Sequence, residues 1–453
     1  MKKIIFTIVL TFAVIGSFAQ NTFMKSYNDF ENDAWGDQVI VSVDGYLISG
    51  VCLKDNIYQL FLMKTDLYGN KQWLNYYDFD ITDHGNWSTS DKDDDNNIYM
   101  AFENSSTTNL VKFSPTGETQ WAVKFPDNIY QVKYMDNGEL LIAVSQGNSV
   151  KIKRVDPGTG SLIAESVPIT STTPLITTTM SVLSDNTIVL SVSSNVWNNA
   201  GASTLYYFTP DLSTVNSSGL QYSESVVHRS SSVINDELIS VGHIAQYATT
   251  DNRSYVSKYD TSGSVDFANL ILYPSRVARL SKHVINYQDQ IVALGEYSTS
   301  DIPGMVLLRG MTLDGDSLWT SLLTMNEMVK GYDLKMTNDG GYVVTGRTFA
   351  VSKEMPLLIK TNAAGLIVGS KQISQPDNIL VYPNPASDQV VFEFVEKTNG
   401  SIIVTDLSGH KCIEFEVNGL STVFDTRQLE QGVYFYTLKT DSSVSTGKLL
   451  INH

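Results

Sequence analysis

Charge is the first thing this chain is short of. Asp, Glu, Lys and Arg make up 17% of its 453 residues, against about 25% in an ordinary soluble domain. What charge there is leans acidic, with 31 bases against 48 acids and a formal net charge of −17. That argues against nucleic acid or anionic membrane as a partner, since both need clustered bases. Cysteine is nearly missing. Cys52 and Cys412 lie 360 residues apart, which argues against a disulfide framework and for two buried thiols. The six histidines (His84, His228, His243, His283, His410 and His453) show no metal-ligand spacing. Nucleophile elbow, phosphate loop and Cys/His arrangement are all missing, so nothing here identifies an enzyme. Long apolar runs are missing too: the one at residues 4–15 is too short to cross a bilayer as a helix, so no transmembrane segment is expected.

That short run belongs to a leader. Lys2 and Lys3 precede it, and Ser17 and Ala19 stand at −3 and −1 of a cut before Gln20, so residues 1–19 read as a signal peptide. No Cys follows the cut, which excludes a lipoprotein anchor. The mature chain is expected to be exported and soluble.

What the chain has in quantity is one repeated unit, clearest from Asn338 to Gly365. It consists of a turn Asp, a short apolar strand, a variable loop, a second apolar strand ending in a base, and a Gly turn. Copies align on Asp44, Asp95, Asp136, Asp185, Asp236, Asp289 and Asp339, with gaps of 51, 41, 49, 51, 53 and 50 residues. A period near 50 is that of a four-stranded propeller blade. Each unit should read as strand A before the Asp, strand B after it, then C and D. Seven blades are expected over residues 36–373. A strand near Phe23 to Tyr27 resembles a strand D, and is expected to pair with the last blade and shut the ring.

Strand C ends on a base in six units: Lys64, Lys112, Arg154, Lys258, Arg309 and Lys360. Asp66, Ser114, Asp260, Thr312 and Asn362 follow, each three residues before a glycine: Gly69, Gly117, Gly263, Gly315 and Gly365. This is hairpin chemistry, the side chain capping the turn and the glycine taking positive φ. Four positions past the glycine stand Trp73, Trp121, Phe267 and Trp319, read as aromatic plugs between blades. These residues resemble secreted propeller repeats of the form DGGY-apolar-G, then apolar-apolar-K-x-D-x-x-G-x-x-x-W. The resemblance implies an all-β seven-bladed propeller and no particular activity. A residue present in every blade has the symmetry of the fold, so function is sought where that symmetry breaks.

It breaks mainly in the loops on the B–C side, the longest being 193–203, 244–254, 296–304 and 347–356. Glu103, His243, Glu296 and Arg347 stand directly after strand B, and Trp197 and Tyr247 within the loops. Together these six are the candidate ligand face, weighed against plain solvated loop starts. The acidic run at 91–97 invites a calcium reading through Asp91, Asp93 and Asp95. It lacks the sharp-turn Gly and the bidentate Glu of a hard-cation loop, so a solvated turn is preferred and no cofactor is expected. A sialidase-type turn is excluded by spacing. An acid pair for glycoside cleavage remains the alternative, because sequence carries no distances.

After a polar linker at 374–378, seven short strand candidates run from 379 to 453 and read as a small immunoglobulin-like antiparallel sandwich. Tyr382, Pro383, Asn384 and Pro385, then Asp406 with Gly409, Leu429 with Gly432 and Tyr434, and finally Lys448 resemble the type A C-terminal sorting domain of the type IX secretion system. The division is therefore residues 1–19 signal peptide, 20–375 propeller and 376–453 sorting domain. The resemblance implies engagement with the type IX secretion machinery and passage through the periplasm and across the outer membrane. Release or surface attachment would follow. The propeller is then expected to act as a binding module for an extracellular glycan or protein.

Overall fold

The computed structural model describes residues 21–81, 88–104, 107–172, 175–194, 203–213, 215–220, 226–244, 253–260, 265–271, 277–298, 304–325, 327–349, 353–367, 379–406, 410–440 and 444–452. The leader, with Ala19 and Gln20, lies outside them, as do Trp197, Tyr247 and Gly409.

Seven antiparallel sheets follow one another along the chain before residue 368, each a meander built on one repeat. Their A strands are Ala34–Ser42, Ser88–Lys92, Asn128–Tyr134, Leu175–Val182, Val226–Ile234, Val277–Ile285 and Val329–Met336, in blades 1 to 7. Each A strand packs on the next, and that of blade 7 packs on that of blade 1, so the ring is closed. The B strands are the apolar runs of the repeat. Ile48, Met100, Ile142, Leu190, Ile239, Ala293 and Val343 are all buried, because neighbouring blades cover both faces of each sheet.

The seventh sheet has strand order Phe23–Ser26, Glu354–Thr361, Tyr342–Phe349, Val329–Met336. The first strand of the described chain is thus the D strand of the last blade, as expected. Phe23 opposes Lys360, as Trp73 opposes Lys64 and Trp121 opposes Lys112. Among the described side chains, Trp73, Trp121, Trp319 and Phe23 each sit over the C–D turn glycine of the next blade. A Cβ on that glycine would lie 2.9 Å from Trp73 at Gly117, 2.8 Å from Trp121 at Gly160, 2.4 Å from Trp319 at Gly365 and 2.5 Å from Phe23 at Gly69. These glycines also hold φ between +72° and +85°, so glycine is needed for both conformation and space. The turn side chains cap as expected: Asp66 Oδ1 accepts from the amides of Tyr68 and Asn70, and Asn362 Oδ1 from those of Ala364 and Leu366.

The repeated base is a strut. Lys64 Nζ lies 2.5 Å from Asp44, and Lys360 Nζ 3.0 Å from Asp339, joining the end of strand C to the A–B turn of its own blade. Blade 2 departs: Lys112 approaches Asp93, at 3.7 Å, rather than the turn residue Asp95.

The C-terminal unit has five strands where seven were expected: Ile379–Tyr382, Gln389–Thr405, Lys411–Asp425, Gly432–Thr440 and Val444–Ile451. Two pairs of candidates fuse because the second and third strands stay paired through a register shift between Glu393 and Thr398. That shift bends both strands and lets them serve two layers. The apolar face of these strands forms one core, including Ile379, Phe392, Val404, Tyr436 and Leu449. Cys52 is buried but Cys412 is exposed, which corrects the expectation of two buried thiols. The reason is the period of two, which puts Cys412 on the outer face with Glu414 and Glu416 while Ile413 and Phe415 turn inward.

Candidate functional site

Five of the A strands carry a β-bulge at the same register, with Asp37, Tyr130, Arg229, Ser281 and Tyr332 as the extra residues, and that of blade 4 carries one a single pair away, at Thr177. A bulge re-aims side chains, and on the innermost strands it aims them at the axis. Below the bulge, the equivalent position in five of the blades reaches sideways to the next. Thr89 Oγ1 accepts from the Val132 amide at 3.3 Å, Ser230 Oγ from the His283 amide at 3.4 Å, and Asp333 Oδ2 from the Val39 amide at 3.1 Å. Gln131 Oε1 takes the Met180 amide in the same way, and Thr179 Oγ1 takes the Ser231 hydroxyl at 2.7 Å. The blades are therefore stitched around the axis by side-chain acceptors at equivalent positions.

Above this ring, on the B–C side, blades 6, 7 and 1 build a polar mouth. Lys330 Nζ pairs with Glu296 at 3.0 Å, and Arg347 Nη1 with Glu354 Oε2 at 2.7 Å. Trp35 Nε1 donates to the same Glu354 oxygen, and Asp33 Oδ1 accepts from the Glu354 amide at 2.8 Å. The Arg347 guanidinium lies 4.5 Å over the Phe349 ring and 5.7 Å from that of Tyr332. Lys330 stands 5.9 Å from the same tyrosine ring. Burial drives the Tyr332 hydroxyl far above its ordinary pKa, with Arg347 opposing and Asp37 adding. Burial also raises the Asp37 carboxyl to about 7, against a smaller pull downward from Arg347. Asp37 nonetheless keeps partial exposure, which is the geometry of a wall enclosed by protein yet open to the axis.

Of the six ligand-face candidates, the structure brings Glu296 and Arg347 together, both acting on Tyr332. Glu103 is half-buried in blade 2, its carboxyl raised by desolvation. His243 lies at the end of a described strand with its side chain outside the description, and Trp197 and Tyr247 lie outside altogether. Sequence reading missed Asp37, Lys330, Tyr332 and Glu354. For Asp37, Lys330 and Tyr332 the signal was there, as charged and aromatic residues within apolar A strands, whereas Glu354 opens a C strand and reads as an ordinary polar strand end.

The acidic run is already engaged by protein donors. Asp91 Oδ2 accepts from the Tyr134 amide at 2.9 Å and pairs with Lys133 at 3.3 Å. Asp93 takes the Asn97 amide at 2.7 Å and the Tyr99 hydroxyl at 3.1 Å, while Asp95 remains in the turn. Among the described residues, no group of three His, Cys, Asp or Glu side chains is placed to hold a metal ion. Two surface cavities lie off the axis: one of 230 Å³ beside Phe30, Cys52 and Tyr76, and one of 360 Å³ by the A–B turns of blades 4 and 5.

In the C-terminal unit the motif residues hold the domain together. Asn384 Nδ2 donates to the Lys448 carbonyl at 2.9 Å, and its Oδ1 accepts from the Leu450 amide at 2.8 Å, tying the tetrapeptide to the last strand. Pro383 and Pro385 close the first strand at Tyr382, as expected. Asp406 Oδ1 caps its hairpin by accepting from the His410 amide at 3.0 Å. Leu429 and Tyr434 belong to the core, and Gly432 opens the strand that pairs with the last. Tyr382 points outward from this unit and meets the propeller. The hydroxyls of Tyr382 and Tyr297 both donate to Glu393 Oε2, at 3.0 and 2.7 Å, with the two rings 6.3 Å apart.

Fold and motif together define a propeller protein with a C-terminal export signal. The family model described as "Secretion system C-terminal sorting domain" matches residues 380–452, so the chain carries that domain and is a type IX secretion cargo, secreted or displayed at the cell surface. No helix among the described residues is long and apolar enough to cross a membrane. No curated protein sequence matches the chain. Among solved structures, the polysaccharide lyase Uly1 shares the fold at 10% identity and a TM-score of 0.50, covering 78% of this chain and 94% of its own. A streptogramin B lyase is similar at 14% identity and a TM-score of 0.47, over 75% of this chain and 98% of its own. PorZ of Porphyromonas gingivalis, a surface component of the type IX secretion system, matches at 12% identity and a TM-score of 0.42 over 92% of this chain. The chain spans 59% of the length of PorZ.

Proposed function

We propose that the propeller is a non-enzymatic binding module, which the sorting domain delivers outside the cell. The ligand, an extracellular glycan or protein, is met by the mouth of blades 6, 7 and 1. One observation carries this reading: the two glutamates of the mouth, Glu296 and Glu354, are held in ion pairs with Lys330 and Arg347 beside the Tyr332 and Phe349 rings. Carboxylates locked in this way are positioned and chemically quiet, whereas an acid pair for glycoside cleavage needs one member free to carry a proton. Stacked Arg and aromatic faces with fixed polar groups suit recognition.

A second reading has its own observation. Asp37 combines a carboxyl raised to about 7 with a neighbouring Arg347 and Tyr332, the poise of a general acid or base. It supports a polysaccharide-active hydrolase or lyase. The two readings separate in one experiment. The secreted protein and its Arg347→Ala and Asp37→Asn variants are probed on a glycan array and assayed for new reducing ends and unsaturated products. Retention of a glycan or protein by the wild type, lost at least tenfold in Arg347→Ala and without turnover, is the expected result. Turnover by the wild type that disappears in Asp37→Asn would establish the enzyme instead.

A further inference from the structure

Blade 4 departs from the repeat at two positions, and both departures line one cavity. In blades 1, 2 and 7 the base of strand C lies opposite an aromatic residue of strand D: Lys64 and Trp73, Lys112 and Trp121, Lys360 and Phe23. Those bases also face one register position of strand B, held by Leu47, Tyr99 and Val343. In blade 4 that position is Val189, which faces Tyr207, and Tyr207 in turn faces Asn216. A phenol thus replaces the ammonium, and a carboxamide replaces the aromatic plug. The 360 Å³ cavity beside the A–B turns of blades 4 and 5 is lined by both replacements. Its volume falls within the range of small-molecule sites, about 300–1,000 Å³.

Negative charge stands at the same place. Asp185 lies four residues before Val189, as Asp339 lies four before Val343, so the two are equivalent turn residues. Each Oδ1 accepts an amide of its own turn, from Thr187 at 2.8 Å and from Gly341 at 3.1 Å. Asp339 also receives the Lys360 ammonium at 3.0 Å. Asp185 receives no base among the described residues. Asp236 reaches into the same cavity from blade 5, taking the Ser184 amide at 2.8 Å and the Ser184 hydroxyl at 2.7 Å. Those two bonds hold its carboxyl below the ordinary pKa, so it stays an anion. The base of blade 5, Lys258, goes instead to Glu237 at 3.0 Å. In blades 1 and 7 the turn carboxylate is neutralised within its own blade, but here none of the described residues lining the cavity is a base.

We infer that this cavity binds an organic cation from outside the chain, an ammonium or guanidinium on an aliphatic stem, which supplies to Asp185 what Lys360 supplies to Asp339. The cation is carried by a free alkylamine or by a Lys or Arg side chain of a partner protein. Tyr207 gives the cavity an aromatic wall, and a cation is favoured beside such a ring. The site lies among the A–B turns, on the face opposite the B–C mouth of blades 6, 7 and 1, and stands whichever ligand the mouth takes.

The test uses the full secreted chain with two variants. Tyr207→Lys installs the base that blades 1, 2 and 7 carry at this register, and Asp185→Asn removes a charge from an exposed turn. Titration calorimetry is run with cadaverine, agmatine and a blocked Gly-Lys-Gly peptide, and with the Nε-acetylated peptide as the uncharged control. The wild type is expected to bind the cations and to ignore the acetylated peptide. Both variants should lose at least tenfold in affinity, one because its own ammonium fills the place and the other because the carboxylate is gone. If Tyr207→Lys does not fold, Asp185→Asn decides alone. Tighter binding of the peptide than of the free amines identifies a partner's side chain as the ligand; equal or weaker binding identifies a free amine. No binding of any cation by the wild type, undiminished binding by Asp185→Asn, or equal binding of the acetylated peptide overturns the site.

Discussion

Asp37 shows how a single residue is set by its neighbours. Its carboxyl is raised from 3.8 to about 7, chiefly by burial at the bulge of blade 1. The folded state therefore binds a proton more tightly than the unfolded chain across that window. Stability from this group is greatest below about pH 4, declines as pH rises to about 7, and is lost above it. His228 and His283, both lowered to about 3 by burial, work in the opposite sense and cost stability as pH falls below 6.5. Comparing wild type with Asp37→Asn cancels the histidines. The variant should be more stable at pH 8 by about 1 kcal/mol, allowing for solvent screening, and near wild type at pH 5. Urea melts at the two pH values check this, and an equal difference at both would contradict the assignment.

At the scale of the strand, the informative case is Phe23–Ser26. It stands apart from the other strands of blade 7 by more than 300 residues and carries Phe23 where blades 1, 2 and 6 carry Trp. Phe23 packs on Gly69 of blade 1 as Trp319 packs on Gly365, so one ring closes the propeller by the device that joins ordinary blades. Phe23→Ala should cost about 3 kcal/mol, the usual range for emptying a buried phenyl site. Because the strand shuts the ring, loss of cooperativity in the urea transition should accompany the loss of stability. A drop below about 1 kcal/mol would mean that closure rests on the backbone pairing with Leu357–Lys360 alone.

At the scale of the whole molecule, among the described residues the two units meet where Tyr297 of the propeller and Tyr382 share Glu393. The blades close on their own, and the sorting domain has its own core. Residues 379–453 should therefore add little to the stability of the propeller beyond the bond of Tyr297 to Glu393, about 1 kcal/mol. Deleting them should leave a folded propeller in the periplasm, since the sorting domain is what marks the chain for the outer-membrane step. Localisation by fractionation, with a melting curve of the trapped protein, checks both halves. A truncated protein that reaches the medium in normal amounts would overturn the export reading.

The period near 50, the capped glycine turns and the tetrapeptide at Tyr382 were enough, without coordinates, to determine a seven-bladed ring and an export signal. Those features are local, and repeats expose local rules seven times over. Even the closing strand was legible, because Phe23 sits in a copy of the D-strand pattern. What only the tertiary structure decided is which side chains meet across blades. Asp37 and Tyr332 are separated by 295 residues, and a bulge of one residue in the A strands of blades 1 and 7 turns them to one site beside Arg347. The outward face of Cys412 and the docking of Tyr382 on Tyr297 were hidden for the same reason. Pairing register and contact between distant strands are long-range properties, and no spacing along the chain encodes them directly.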